Sequence, residues 1–189
     1  MPDAPPLLTQ ATTPGRSEPP HALAPAIDTF TLWWPGEADG ADSARRLATV
    51  PGLRLAHIAL NGHLGAGKTT WVRHLLRALG VSGRIKSPSY AIVEPYDLPA
   101  AAGGDAAVTS AWHFDFYRFA DPQEWEDAGL RDIFASPGLK LVEWPERAAG
   151  LLPPVDLDIT LSVQPESRGR SVQVNARSTL GLTLLHALT

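Results

Sequence analysis

Two spacings of apolar residues recur along the chain, one typical of strands and one typical of helices. Phe30, Leu32 and Trp34 alternate with other positions, which predicts a first strand over Ile27 to Trp34. Between Thr69 and Leu79 the apolar residues recur every third or fourth position, which predicts a helix with one buried face. The chain therefore mixes strands and helices.

Shorter apolar runs and turn signals place the other predicted elements. A Pro165 to Gly169 turn separates the last two runs, which indicates a C-terminal antiparallel strand pair. The remaining predicted strands are Leu53 to Leu60, Tyr90 to Tyr96, Ala111 to Phe116, Leu139 to Val142, and the pair Leu157 to Val163 and Ser171 to Ala176; the remaining helices run from Asp42 or Ser43 to Ala48, from Asp121-Pro122 onward, and from Leu180 to Leu188.

Proline divides the chain into a tail and a domain. Residues 1–26 are rich in Pro, Ala and Thr, a composition that interrupts helices and strand ladders. We expect residues 1–26 to form a disordered tail and residues 27–189 to form a single domain.

A glycine-rich loop connects the predicted strand ending at Leu60 to the helix beginning at Thr69. Its sequence, GHLGAGKT, matches G-x-x-x-x-G-K-[ST] in the strand–loop–helix setting that the motif requires. Glycines let successive main-chain N–H groups point at phosphate oxygens, Lys68 reaches the β- and γ-phosphates, and Thr69 offers a hydroxyl to Mg²⁺. The predicted ligand is therefore ATP or ADP with Mg²⁺, contacted by Gly62, Leu64, Gly65, Ala66, Gly67, Lys68, Thr69 and Thr70.

This loop and the order of the elements define the predicted fold class. We expect an α/β fold, a P-loop NTPase-like three-layer sandwich with a central, mostly parallel sheet and the C-terminal antiparallel strand pair.

Two acidic residues follow apolar strands in the setting expected of a Mg²⁺-orienting carboxylate. Asp115 ends the run at Trp112 to Phe114, and Glu143 ends the run at Leu139 to Val142. The sequence does not decide which of the two contacts the metal and which orients water. The Ser87-Pro88-Ser89 segment lies where switch loops sense a γ-phosphate.

Composition narrows the class of partner and compartment. The net charge is −4 with no lysine-rich run, so tight direct binding of RNA is not expected. There is no cysteine, which excludes disulfides and thiolate chemistry. No apolar run approaches the roughly 20 residues that span a bilayer, and no signal peptide is evident, so we expect no membrane association and a cytoplasmic protein.

Four stretches together resemble the TsaE family, the P-loop ATPases needed for bacterial tRNA threonylcarbamoyladenosine formation. They occur in the family's order and cover most of residues 28–163; they are GHLGAGKTT (62–70), KSPSYAIVEPY (86–96), HFDFYRFADPQEWEDAGLRDIF (113–134) and LVEWPERAAGLLP (141–153). The chain departs from the family's usual pattern in three places. Relatives commonly carry Asp at the position of His63 and Thr at the position of Ser89, and a Thr often precedes their first helix, where this chain reads Asp39-Gly40-Ala41-Asp42.

The resemblance implies roles for individual residues. Lys68 and Thr69 would bind phosphate and Mg²⁺, Glu143 would be a metal ligand, and Asp115 would be an essential acid near the γ-phosphate. With Lys68, Asp115 completes the predicted catalytic pair. The nucleotide-binding set then also includes Ser87, Ser89, Trp144 and Glu146. For Trp144, a buried structural role remains the alternative.

The resemblance also implies a function. The chain would be an ATPase, slow alone, required for tRNA N6-threonylcarbamoyladenosine biosynthesis at position 37. It would act on a complex of TsaD and TsaB and reach tRNA only through that complex. A small-molecule or nucleotide kinase is the alternative, although the arginines form no obvious lid segment. A nucleotide-gated binding module without turnover also stays open.

Overall fold

The computed structural model describes residues 25–88, 91–100, 108–164 and 169–189, which form a single seven-stranded sheet with five α-helices in these ranges. Most of the predicted tail, residues 1–24, lies outside the described residues. The strands are β1 (Asp28–Trp34), β2 (His57–Asn61), β3 (Val93–Asp97), β4 (Ser110–Asp115), β5 (Leu139–Glu143), β6 (Leu157–Val163) and β7 (Arg170–Ala176); the helices are α1 (Glu37–Ala48), α2 (Lys68–Ala78), α3 (Pro122–Asp127), α4 (Leu130–Ala135) and α5 (Thr179–Leu188).

The sheet is mixed, in the order β1-β7-β6-β2-β5-β4-β3. Its centre is parallel, since β2 pairs in parallel with β5 and β6, and β5 pairs in parallel with β4. The β1–β7, β6–β7 and β3–β4 pairs are antiparallel. The predicted parallel arrangement is therefore present in the four central strands β6, β2, β5 and β4. The antiparallel pairs lie towards the edges of the sheet, where β1 pairs with β7 and β3 pairs with β4. The predicted C-terminal antiparallel pair is confirmed as β6 and β7.

Two hydrophobic clusters lie on opposite faces of the sheet. One packs α1, α2 and α5 against alternate residues of the central strands, such as Ile58 and Leu141. The other packs α3 and α4 beneath β4 and β5 through a group of aromatic side chains that includes Phe114, Trp125 and Phe134. This second helical layer covers β4 and β5 but does not extend over β1 and β7 in the described residues. On the same face of β1 and β7, side chains such as Thr31 and Gln173 are exposed.

Two predicted boundaries move for local reasons. Helix α1 begins at Glu37 rather than at Asp42 or Ser43, because the Asp39 carboxylate accepts a hydrogen bond from the Gly36 N–H, 2.8 Å away, and closes the first turn. The predicted strand over Leu53 to Leu60 is a 3₁₀ turn at Leu53–Leu55 followed by β2. The turn forms because the Leu55 N–H bonds to the Gly52 carbonyl.

The strand predicted over Tyr90 to Tyr96 begins later, at Val93. Ile92 has a φ of 63°, a left-handed conformation that a strand does not accommodate. Tyr90 itself lies outside the described residues, as does most of the predicted turn before β7. No helix in the described ranges is long and apolar enough to cross a membrane.

Candidate functional site

A cavity of about 310 Å³ opens where α2 begins beside the carboxyl ends of the parallel strands β4 and β5. This is the edge at which open α/β sheets usually bind ligands. Most of the residues predicted from the sequence to form the site meet here. The cavity is lined by Leu64, Gly65, Gly67, Lys68, Thr69, Thr70, Ser87, Asp115, Tyr117, Glu143 and Trp144.

The loop between β2 and α2 is curled by glycines at positive φ. Gly62, Gly65 and Gly67 have φ values of 129°, 80° and 107°, in a range that residues with a side chain rarely adopt. At Gly62 a side chain is also sterically excluded, because a Cβ there would lie 2.3 Å from the main-chain oxygen of Leu161. The loop therefore depends on glycine both for its conformation and for its close packing on β6.

Lys68 is the buried cation of the site, with 4% of its surface exposed. Its Nζ donates to the carbonyl oxygens of Gly62 at 2.6 Å and His63 at 3.1 Å, and lies 3.9 Å from the ring centroid of Trp144. Burial lowers the pKa of Lys68 below its ordinary value, and nearby carboxylates, Glu143 first, partly offset that shift. The loop thus holds a positive charge at its centre.

Thr69 and Glu143 bring a hydroxyl and a carboxylate together. Thr69 Oγ1 donates to Glu143 Oε2 over 3.0 Å, and the other carboxylate oxygen, Oε1, lies 2.8 Å from His113 Nε2. Both Glu143 and His113 are buried, with 2% and 0% exposure. The contact explains how a carboxylate can be buried here, because each of its oxygens has a hydrogen-bond donor.

Asp115 lies opposite Glu143 in the pairing of β4 with β5 and faces the same cavity. Its Oδ2 accepts from Ser87 Oγ at 2.9 Å, and its Oδ1 accepts from the Tyr117 N–H at 3.1 Å. The carboxylate is thus fixed between the loop after α2 and the end of β4. Ser87 meets Asp115 here, so the loop suggested as a switch contacts one of the two acids directly.

Trp144 is half-buried, and its ring contacts both Lys68 and Tyr117. The centroids of the Tyr117 and Trp144 rings are 4.9 Å apart. Trp144 has a φ of 57°, and its N–H donates to the Leu60 carbonyl over 3.3 Å. A left-handed conformation is uncommon for a residue with a side chain, and it follows directly after the end of β5 at Glu143.

A few predicted residues are not in the cavity wall. Gly62 and Ala66 belong to the loop but do not line the cavity. Glu146 is exposed and does not line the cavity either, although its charge partly offsets the lowering of the Lys68 pKa by burial. Ser89 lies outside the described residues. His63, which differs from the family's usual Asp, is exposed.

Sequence reasoning missed three residues of the site. His113 and Tyr117 share the alternation of Asp115 along the chain, so a period of two could have suggested that they lie near it. Arg170 gave no such signal. It lies at the start of β7, where its Nε donates to the Ala66 carbonyl over 2.7 Å.

The donor set of the site fits an anion together with a hard divalent cation. The N-terminus of the 11-residue helix α2 and Lys68 favour an anion. The Thr69 hydroxyl and the Glu143 carboxylate are oxygen ligands of the kind that Mg²⁺ prefers. The described residues contain no group of three or more His, Cys, Asp and Glu that could hold a metal. A cation here would therefore need further oxygens from water or from the bound anion.

A larger cavity of about 470 Å³ lies between β1 and α1, away from these residues. Its charged groups include Asp42 and Arg45, which form an ion pair with each other. None of the residues of the glycine-rich loop lines it. Most of the residues predicted to form the site therefore line the smaller cavity and not this one.

Sequence comparison identifies relatives that share this region. The family model described as "Threonylcarbamoyl adenosine biosynthesis protein TsaE" matches residues 35–172. The tRNA threonylcarbamoyladenosine biosynthesis protein TsaE of Haemophilus influenzae is 38% identical over 132 residues, which are 70% of this chain and 77% of that protein. The protein of the same name from Bacillus subtilis is 35% identical over 104 residues, which are 55% of this chain and 60% of that protein.

The fold is similar to a solved structure. The crystal structure of Bacillus subtilis YdiB superimposes with a TM-score of 0.66 at 23% identity, covering 85% of this chain and 94% of that one. This likeness concerns the fold alone, an α/β arrangement around a mixed sheet.

Proposed function

The chain belongs to the TsaE family, and on that premise we propose that it binds ATP and ADP with Mg²⁺ in the cavity at the start of α2 and hydrolyses ATP. It does so in support of tRNA N6-threonylcarbamoyladenosine biosynthesis at position 37, and acts on a TsaD–TsaB complex without carrying out the transfer. One observation carries the proposal: Lys68, Thr69, Asp115 and Glu143 line the same cavity.

In this proposal the loop and α2 bind the triphosphate as in other P-loop NTPase folds. The main-chain N–H groups of the loop and the positive end of the α2 dipole attract the phosphate oxygens. Lys68 exchanges its contacts with the Gly62 and His63 carbonyls for phosphate oxygens. Because its ammonium is already buried, little further desolvation is needed when the anion binds.

Thr69 and Glu143 would hold the Mg²⁺ ion that accompanies the nucleotide. Their oxygens are 3.0 Å apart and belong to different elements, α2 and β5, so the fold presents both to one point. When bound, such an ion would neutralise negative charge on the phosphates.

Asp115 is the proposed acid that orients and deprotonates the attacking water. Ser87 and the Tyr117 N–H fix its two oxygens, so the carboxylate cannot rotate freely. The water oxygen bonds to the γ-phosphorus, the bond from that phosphorus to the bridging oxygen breaks, and Asp115 takes the proton. ADP and inorganic phosphate are the products.

The exposed rim of the cavity is the surface on which we place the partner complex. Leu64 at the tip of the loop is 75% exposed, and Tyr117 on the opposite side is 41% exposed. A TsaD–TsaB surface placed on this rim would exclude water and complete the site, and for this reason we expect hydrolysis by the chain alone to be slow. A protein serving tRNA modification in this way would work in the cytoplasm. The proposal assigns these roles to a single ATPase domain, residues 27–189.

The first test is calorimetric titration of the purified chain with ADP and ATP, with and without Mg²⁺. We expect Mg²⁺-dependent binding that Lys68→Ala abolishes while the thermal unfolding transition is retained. Lys86→Ala is the matched control, because Lys86 is exposed and outside the cavity wall. Absence of any nucleotide binding by the unaltered chain, alone and with TsaD and TsaB, would refute the proposal.

The second test measures phosphate release and tRNA modification together, with TsaD and TsaB added or omitted. The expected result is hydrolysis stimulated by the partners and modification that requires an intact Lys68. Transfer of the γ-phosphate to an added small-molecule or nucleotide acceptor would favour a kinase. Nucleotide binding without phosphate release under any condition would favour a binding module.

A further inference from the structure

His113 lies directly behind the proposed metal ligand Glu143. It occupies β4, paired with Leu141 of β5, so its side chain lies on the same face of the sheet as the Glu143 side chain two residues further on. Its Nε2 is 2.8 Å from Glu143 Oε1, and no part of it is exposed. A histidine in this position can contact neither solvent nor a nucleotide.

The hydrogen bonds of Glu143 connect β5, on which it lies, to β4 and to α2. His113 on β4 contacts Oε1, and Thr69 on α2 contacts Oε2, so β5 carries the carboxylate between them. A carboxylate accepts hydrogen bonds and does not donate them, so His113 is the donor of this contact, through a proton on Nε2. Nδ1 of His113 has no hydrogen-bond partner among the described residues. The contact to Glu143 is therefore the polar contact that orients this ring.

We propose that His113 is a positioning residue that fixes the side-chain orientation of Glu143 and thereby sets the affinity of the site for Mg²⁺ in the presence of nucleotide. The inference rests on the proposed function. Without the Nε2–H donor, Oε1 would be a buried oxygen with no partner, and the carboxylate would rotate away from Thr69 to find one. Residues that orient a metal ligand in this way typically change metal affinity about 10- to 100-fold when replaced.

The test compares ADP affinity with Mg²⁺ and with EDTA for each variant, measured by calorimetry. In His113→Leu we expect the gain in ADP affinity caused by Mg²⁺ to fall about tenfold or more, while the affinity in EDTA stays within about threefold of the unaltered chain. This readout separates a role at Glu143 from a general loss of structure, because a damaged fold would lower both affinities.

Two further substitutions of His113, by glutamine and by asparagine, test the inference if the leucine variant folds poorly. Their amide groups extend to different distances from the main chain. Glutamine at position 113 places its amide N–H close to the position of Nε2, whereas asparagine places it near Nδ1. We therefore expect His113→Gln to recover most of the Mg²⁺ effect and His113→Asn to recover little. His57→Gln is the matched control, because His57 is a partly buried strand histidine on β2 outside the cavity wall.

A double variant tests whether His113 acts through Glu143. In a Glu143→Gln background, His113→Leu should cause no further loss of the Mg²⁺ effect. An unchanged Mg²⁺ effect in the single His113→Leu variant, or an equal loss with Mg²⁺ and with EDTA, would overturn the inference. If the unaltered chain bound no ADP under either condition, the proposed function itself would fail, and this result is obtained before any variant is made.

Discussion

Arg170, at the start of β7, forms a hydrogen bond with Ala66 of the glycine-rich loop. Its Nε donates to the Ala66 carbonyl over 2.7 Å, although the two residues are 104 positions apart. The guanidinium also lies against Gly67, where an added Cβ would be 3.1 Å from Nε. β7 therefore stabilises the shape of the loop, on which the direction of its N–H groups depends, and adds a positive charge beside it.

We expect Arg170→Ala to weaken ADP binding about tenfold, the effect of losing one charge-assisted hydrogen bond of about 1.5 kcal/mol. Arg170→Lys keeps the charge but lacks the planar donor, so it separates the hydrogen bond from electrostatic attraction. Calorimetry with ADP provides the measurement. Arg131→Ala, at an exposed arginine on α4, is the control. Full affinity in Arg170→Ala would show that the loop keeps its shape without β7.

Asp115→Asn should separate binding from hydrolysis. The amide oxygen can still accept from the Tyr117 N–H, and the amide nitrogen can donate to Ser87 Oγ, so the loop after α2 stays in place. The substitution removes the proposed acceptor of the water proton, a role worth about 100-fold or more in rate. We expect ADP affinity within about threefold of the unaltered chain and a loss of partner-stimulated phosphate release. Equal losses of affinity and rate would contradict the role given to Asp115.

The stability of the fold should depend on His57 at mildly acidic pH. Burial, and then the nearby Lys140 charge, lower the pKa of His57 below its ordinary value of 6.5, although Asp156 and the Pro154 carbonyl act in the opposite direction. Below that value the unfolded chain binds the proton more readily than the folded chain does. The contribution of neutral His57 to the free energy of unfolding is therefore fully present above pH 6.5 and is lost as the pH falls below that value.

Urea unfolding at about pH 7.5 and about pH 5 measures this effect. In His57→Gln the drop in the free energy of unfolding between the two conditions should be smaller than in the unaltered chain. His186→Gln should leave the drop unchanged, because His186 is exposed on α5. The same drop in all three proteins would show that His57 does not contribute.

Local sequence signals predicted the parts of the site that lie within one loop or one strand end. Gly62 to Thr69 followed a strand and preceded a helix, and the acids Asp115 and Glu143 ended two strands that turn out to be neighbours. These predictions succeed because the carboxyl ends of parallel strands meet at one edge of the sheet. Their roles toward nucleotide and metal stay predictions.

Contacts between distant elements could not be predicted in the same way. The Arg170 contact to Ala66 requires β7 to lie beside β6, and β6 beside β2, which is a property of strand order. The hydrogen bond from His113 to Glu143 likewise depends on the pairing register of β4 with β5. Neither order nor register can be read from a single sequence without the packing that selects them.

Gly181 shows how such packing overrides local propensity. It lies in the first turn of α5, where its N–H donates to Ser178 Oγ over 3.0 Å. In an exposed helix, replacing glycine with alanine would stabilise by up to about 1 kcal/mol. Here an added Cβ would lie 1.9 Å from the main-chain oxygen of Asp156, which also accepts a hydrogen bond from the Arg177 N–H.

We therefore expect Gly181→Ala to lower the free energy of unfolding by about 1–3 kcal/mol, because either α5 or the segment before β6 must move. The Asp156 side chain transmits the strain, since its oxygens bond to the His57 N–H and to Ser178 Oγ. Urea unfolding provides the measurement, with Thr183→Ala as a control on the exposed side of the same helix. A gain in stability for Gly181→Ala would mean that α5 can shift from the sheet without penalty, and that helix propensity governs this position.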